Sequence, residues 1–126
     1  MFKKLLGLTA IILTLVTPLA VAEVAKPDAD GITRIHLDQY GGHFTADKTL
    51  AGLKAGKYEI TVANKTKKMV GFQLQNFKTH EQMDMFPLEP GETRVTTVEF
   101  GEEGVRFRCP INPTPWYDLD NIKAAI

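Results

Sequence analysis

The amino-acid sequence predicts an all-β protein, an antiparallel sandwich of short strands with at most one short helical turn. Two observations carry that expectation. Apolar residues recur with period two in Tyr58-x-Ile60-x-Val62, Val70-x-Phe72-x-Leu74, Val98-x-Phe100 and Val105-x-Phe107-x-Cys109, the pattern of strands with one buried face. Residues that tolerate or enforce turns separate these runs at near-regular spacing: Gly41-Gly42, Ala55-Gly56, Asn64 to Lys68, Pro90-Gly91 and Gly101 to Gly104. No helical stripe of useful length competes with them.

The chain has 126 residues, room for one such domain. Lys3 and Lys4, the apolar run from Leu5 to Leu19 and the ending Ala20-Val21-Ala22 read as a signal peptide over 1–22, cleaved after Ala22. The product is expected to be periplasmic or secreted, with no stable membrane span after cleavage. Glu23 to Gly31 is polar and holds Pro27, Asp28 and Asp30, which predicts a flexible lead-in. The domain then occupies 32–126. Ile32, Ile35 and Leu37 mark the first strand, less cleanly than the later ones. Phe77 to Met85 is compatible with a single helical turn capped by Thr79. Pro90-Gly91 predicts a type II turn, because proline presets φ at the second position and glycine accepts a positive φ at the third; a strand should follow from Thr93. Along Val105 to Cys109, alternation places Val105, Phe107 and Cys109 inward and Arg106 and Arg108 on the other face.

Composition excludes several functions. Fifteen basic against fifteen acidic residues give no basic stripe to neutralise phosphates, so nucleic acid is not an expected partner. The sequence contains no serine, which removes the serine hydrolases. Gly-rich phosphate loops, paired cysteines and His-Glu-x-x-His are also missing from it, so no enzyme is expected. Cys109 is the single cysteine; in an exported chain it must be buried, bound, or paired with another molecule.

Three stretches, in order, resemble the cupredoxins: Leu53-Lys54-Ala55-Gly56-Lys57-Tyr58-Glu59-Ile60-Thr61-Val62-Ala63-Asn64-Lys65 with the following Lys67-Lys68-Met69-Val70-Gly71-Phe72, then Leu88-Glu89-Pro90-Gly91-Glu92-Thr93, then Gly104-Val105-Arg106-Phe107-Arg108-Cys109-Pro110. The resemblance covers roughly residues 32 to 118 and implies a cupredoxin-like Greek-key sandwich, with Cys109 where the family carries its copper-ligating thiolate. The family's first copper-binding histidine falls at Val70, and neither His nor Met follows Cys109. A blue-copper site needs two imidazoles beside the thiolate, so the resemblance implies the fold and not blue-copper electron transfer.

Two functions remain for a small exported binding or accessory protein. The first is handling of Cu(I) or another soft metal by some of Cys109, His80, Met83, Met85 and Met69, since thioether, thiolate and imidazole suit that ion. Met83 and Met85 would share a face in a strand; alternatively they and Phe86 simply fill the end of the sandwich. The second is a metal-free interaction module that docks a protein partner through the Pro110 to Tyr117 loop. Pro110, Pro113 and Pro115 stiffen that loop, and Trp116 and Tyr117 would anchor the interface, unless Trp116 only covers the barrel end. His36 and His43 are expected as solvated or hydrogen-bonded side chains.

Overall fold

A computed structural model describes residues 23–111 and 114–125. The signal peptide expected over 1–22, its cleavage point, and Asn112 and Pro113 of the proline-rich loop lie outside the described residues. Eight strands follow in order: β1 (Ile32–Gln39), β2 (Phe44–Ala46), β3 (Gly56–Asn64), β4 (Val70–Asn76), β5 (Gln82–Leu88), β6 (Thr93–Phe100), β7 (Val105–Arg108) and β8 (Tyr117–Leu119). They form two four-stranded sheets, β2-β1-β3-β6 and β5-β4-β7-β8. The chain changes sheet between β3 and β4, β5 and β6, and β6 and β7. This is the all-β, two-sheet sandwich that the sequence predicts, and no described residue is helical.

Alternation places the core. Tyr58, Ile60 and Val62 of one sheet face Val70, Phe72, Leu74, Val105 and Phe107 of the other, and all are buried. β1 continues the pattern with polar residues, since Thr33 and Gln39 are as buried as Ile35 and Leu37; this is why its apolar signal is irregular. Five of the six ladders are antiparallel. β1 and β3 run parallel, from Ile32 opposite Lys57 to Gln39 opposite Asn64. Period-two burial reports which face is covered and not strand direction, so the sequence pattern could not separate the two. The long connection that parallel neighbours need is β2 with residues 47–55.

Local chemistry sets the turns. Glu92 N–H donates to the Glu89 carbonyl at 2.9 Å and Gly91 has φ 75°, the expected type II geometry, with β6 starting at Thr93. The helical turn expected within Phe77 to Met85 is a tight turn over residues 77–79, capped by Asn76 in place of Thr79. The Asn76 carboxamide oxygen accepts the N–H groups of Lys78 and Thr79 at 2.7 and 2.9 Å, a reach that short Asx side chains have over the next two or three residues.

The segment Glu23 to Gly31, where the sequence predicts flexibility, is tied to the sandwich. Val24 bridges Thr49, Pro27 bridges Thr33, and Ala25 is buried in the core. Arg34 of β1 holds this segment through Asp28 and through Asp30 at 3.0 Å, while its Nε reaches Glu59 of β3 at 3.1 Å. Isolated apolar residues such as Val24 and Ala25 carry no periodic signal, so their burial was not legible.

Two buried amides close one end. Gln39 and Asn64, paired in the β1–β3 register, are 0% and 2% exposed. The Gln39 amide donates to the Gly71 carbonyl of β4 at 2.7 Å and accepts from Gly41 N–H at 2.7 Å. The Asn64 amide donates to the carbonyls of Lys68 (2.8 Å), Leu88 and Glu89 (3.0 Å each), and its oxygen accepts from Thr66 N–H at 2.8 Å. Each first-sheet amide is thus bonded to the second sheet.

Asn64→Ala should destabilise the fold by about 3 kcal/mol, because it strands the buried Leu88 carbonyl and two partly buried ones at once; urea unfolding measures this. The Arg34 guanidinium, with the Ile32 N–H, holds the Asp30 carboxyl below its ordinary value. Its grip on the lead-in is therefore complete above the ordinary aspartate range and lost as pH falls through the lowered value. Hydrogen exchange at Val24 to Asp30 should rise in that acid window, and Asp30→Asn should remove the pH dependence.

Candidate functional site

Cys109 continues the alternation of β7 and is fully buried, with its thiol free. It belongs to the apolar cluster that includes Val70 and Phe72, so the inward thiol expected from the sequence is present. Val70, where the resemblance implies the first copper histidine, is itself fully buried. The backbone N–H of Cys109 donates to the Thr114 hydroxyl at 3.3 Å, and that hydroxyl donates to the Pro115 carbonyl at 2.9 Å. Thr114 is buried, and it cinches the base of the proline-rich loop.

The other soft-ligand candidates do not gather around this thiol. Met69 precedes β4 and is exposed, whereas His80 follows the turn at the far end of the same strand. Seven residues at roughly 3.3 Å each hold the two about 20 Å apart. His80 is exposed and takes the left-handed conformation, φ 63°; its N–H donates to the Asn76 carbonyl at 2.9 Å, closing the turn. Met85 pairs with Gln73, which pairs with Arg108, so these three share the outer face while Cys109 points inward. Met83 and Met85 also part, against the expectation that they share a face. Leu74 pairs with Asp84 and Gln75 with Gln82, which leaves Met83 as the extra residue of a bulge, packed against the core. A bulge resets side-chain alternation by one position. Among the described residues no group of three His, Cys, Asp or Glu side chains is arranged to hold a metal ion. His36 bonds Asp38 at 2.9 Å, and His43 stacks on Tyr40 with centroids 5.0 Å apart.

The residues that do converge lie on the outer face of the second sheet. Both guanidiniums of β7 lie over the Trp116 indole, Arg106 at 4.0 Å and Arg108 at 4.3 Å from its centroid, within cation–π range. β4 positions them: Arg106 Nε and Nη2 donate to Gln75 Oε1 at 3.0 and 2.9 Å, and Arg108 Nε donates to Gln73 Oε1 at 3.0 Å. Trp116 therefore lies against a sheet face and does not cover the sandwich end. Tyr117 is used inside the fold. Its ring stacks on Phe107, with centroids 5.0 Å apart and planes at 6°, and its hydroxyl accepts the Phe44 N–H at 3.0 Å.

Beside the arginines, Met85, Phe86, Pro87, Pro110 and Ile111 line an open groove of about 230 Å³. Its floor depends on Gly71, Pro87's register partner. A Cβ there would stand 3.2 Å from both Pro110 Cδ and the Phe86 carbonyl oxygen, so a side chain at 71 would push Pro110 a few tenths of an ångström away from the sheet. Met85 and Ile111 flank the groove at 48% and 50% exposure. β5 is an edge strand, and its donors here are not available: the Met85 N–H donates to the Asp84 carboxylate at 2.8 Å, and Pro87 has no N–H to offer. Gly71, Gln73 and Pro87 carry no motif, and the groove was missed because alternation assigns faces without saying which strands are neighbours.

No family model matches the chain, and no curated protein matches it. Among solved structures, a laccase from Pediococcus acidilactici Pa5930 is similar over 86% of this chain and 30% of the laccase chain, at 14% identity and a TM-score of 0.49. The chain thus spans less than a third of the length of that protein.

Proposed function

We propose that the chain is an exported, metal-free accessory module that docks a protein partner through the outer face of its second sheet, at the groove between β5 and the proline-rich loop. The observation that carries this reading is the pairing of exposed Met85 and Ile111 across a groove floored by Pro87 and Pro110, beside an indole held by two guanidiniums. Large apolar and aromatic side chains provide most of the energy at interfaces. The Thr114 bonds order the loop base before any encounter, so docking costs little conformational entropy. Of the two aromatic anchors expected from the sequence, Trp116 suits this role. Tyr117 supports it from within the core. The spread of Cys109, His80, Met83, Met85 and Met69 over different ends and faces favours this reading over soft-metal handling.

A photo-cross-linking residue at position 111 or 85 should give the same discrete adduct in the exported protein. The equally exposed Val95, on the other sheet, should give none. Adducts that do not depend on position, or none at any position, would overturn the docking role. A competitive Cu(I) titration is expected to show no tight site; one equivalent bound at sub-nanomolar affinity would overturn the metal-free reading.

A further inference from the structure

We infer that the docking face takes an extended acidic segment of a protein partner, in which two carboxylates at alternate positions are followed, two positions further on, by a large apolar side chain. This inference rests on the docking role proposed above and names the chemistry of its occupant.

Charge complementarity argues for the acid. Among the described residues, no carboxylate oxygen lies within ion-pair distance of Arg106 or Arg108, and the ion pairs of the fold involve Arg34, His36 and Lys48. Asp118, Arg106's partner in the strand register, is exposed and forms no ion pair. Gln75 takes Nε and Nη2 of Arg106 and Gln73 takes Nε of Arg108, leaving Nη1 of Arg106 and both Nη atoms of Arg108 free of bonds within the described residues. Two half-buried guanidiniums, fixed by amides below and by an indole above, are preorganised donors for carboxylates, which arginine binds in bidentate fashion.

Spacing argues for an extended segment. Arg106, Arg108 and Pro110 succeed one another at two-residue intervals on one face of the chain. Same-face side chains of an extended strand repeat at about 6.6 Å, so a partner segment with acids at alternate positions matches the two arginines. An apolar side chain two positions further on then reaches the groove of Met85, Pro87, Pro110 and Ile111. With no N–H to offer at positions 85 and 87, β5 is a poor template for strand addition, which favours recognition by side chains in a charge-and-apolar pattern.

Trp116 is the single tryptophan of the chain, so its emission reports this face alone. The probes are acetyl-Leu-Thr-Glu-Thr-Glu-Thr-Leu-amide and its counterpart with Gln for Glu, titrated into the purified protein. The acidic peptide should shift the emission saturably and bind about tenfold more tightly than the neutral one, the factor expected for one or two charge-assisted bonds. Arg106→Gln with Arg108→Gln should abolish the preference. Ile111→Glu, an exposed substitution that leaves both arginines in place, should weaken the acidic peptide while the fold is kept, which guards against an unfolded double variant. Equal response to both peptides, no response, or saturation of the same signal by inorganic phosphate would each overturn the acidic-segment assignment. The two readings separate in the cross-linking experiment. An adduct from position 111 that persists in the double arginine variant overturns the acidic occupant and leaves docking standing, whereas no adduct from the unsubstituted protein removes both.

Discussion

Two carboxamides, Gln39 and Asn64, set the relation between the sheets at the end where the loops gather. Apolar contacts between sheets are non-directional and would tolerate sliding. A buried amide is costly unless its bonds are made, and those bonds have direction. Gln39 can satisfy its amide only where the Gly71 carbonyl lies, and Asn64 only where the carbonyls of Lys68, Leu88 and Glu89 converge. Both amides end strands that are register partners, so one slip in the parallel pair would strand both. The bonds hold β4 and β5 at a fixed height above β1 and β3.

The groove depends on that height. Gly71 gives its carbonyl to Gln39 on the inner side, and its missing side chain lets Pro110 approach on the outer side. One residue therefore couples the packing of the sheets to the shape of the outer surface. The arginine and indole layer lies one row further along the same strands, seated on Gln73 and Gln75 of β4. The candidate surface is built on paired strands, to which the loop adds Pro110, Ile111 and Trp116 near its cinched base. Binding groups on a rigid scaffold keep their geometry better than groups on a mobile loop.

The sequence carried the strands whose buried faces are apolar. Tyr58 to Val62, Val70 to Leu74 and Val105 to Cys109 were legible by alternation, as was the turn at Pro90-Gly91 by backbone chemistry. β1 was blurred because Thr33 and Gln39 fill inward positions, and a polar residue in the core is indistinguishable from a solvated one until its partner is known. The parallel pairing of β1 with β3 depends on topology, which period two does not encode. Arg106 and Arg108 were correctly placed outward, but their glutamine seats are brought near by strand pairing across more than thirty positions of sequence. The grouping of His80, Met83 and Met85 failed for a local reason. Closeness in sequence was interrupted by a left-handed residue at His80 and a bulge at Met83, and either device sends neighbouring side chains in different directions.

The capped edge of β5 has a consequence for the life of the protein outside the folded, isolated state. A bare edge strand beside an apolar groove would template the backbones of unfolded and partly folded chains irrespective of sequence. By turning the Met85 N–H onto Asp84 and placing proline at position 87, this edge withholds the donors that a full ladder needs. The exposed side chains of Met85 and Ile111 then stand in water beside an edge that extends a ladder poorly.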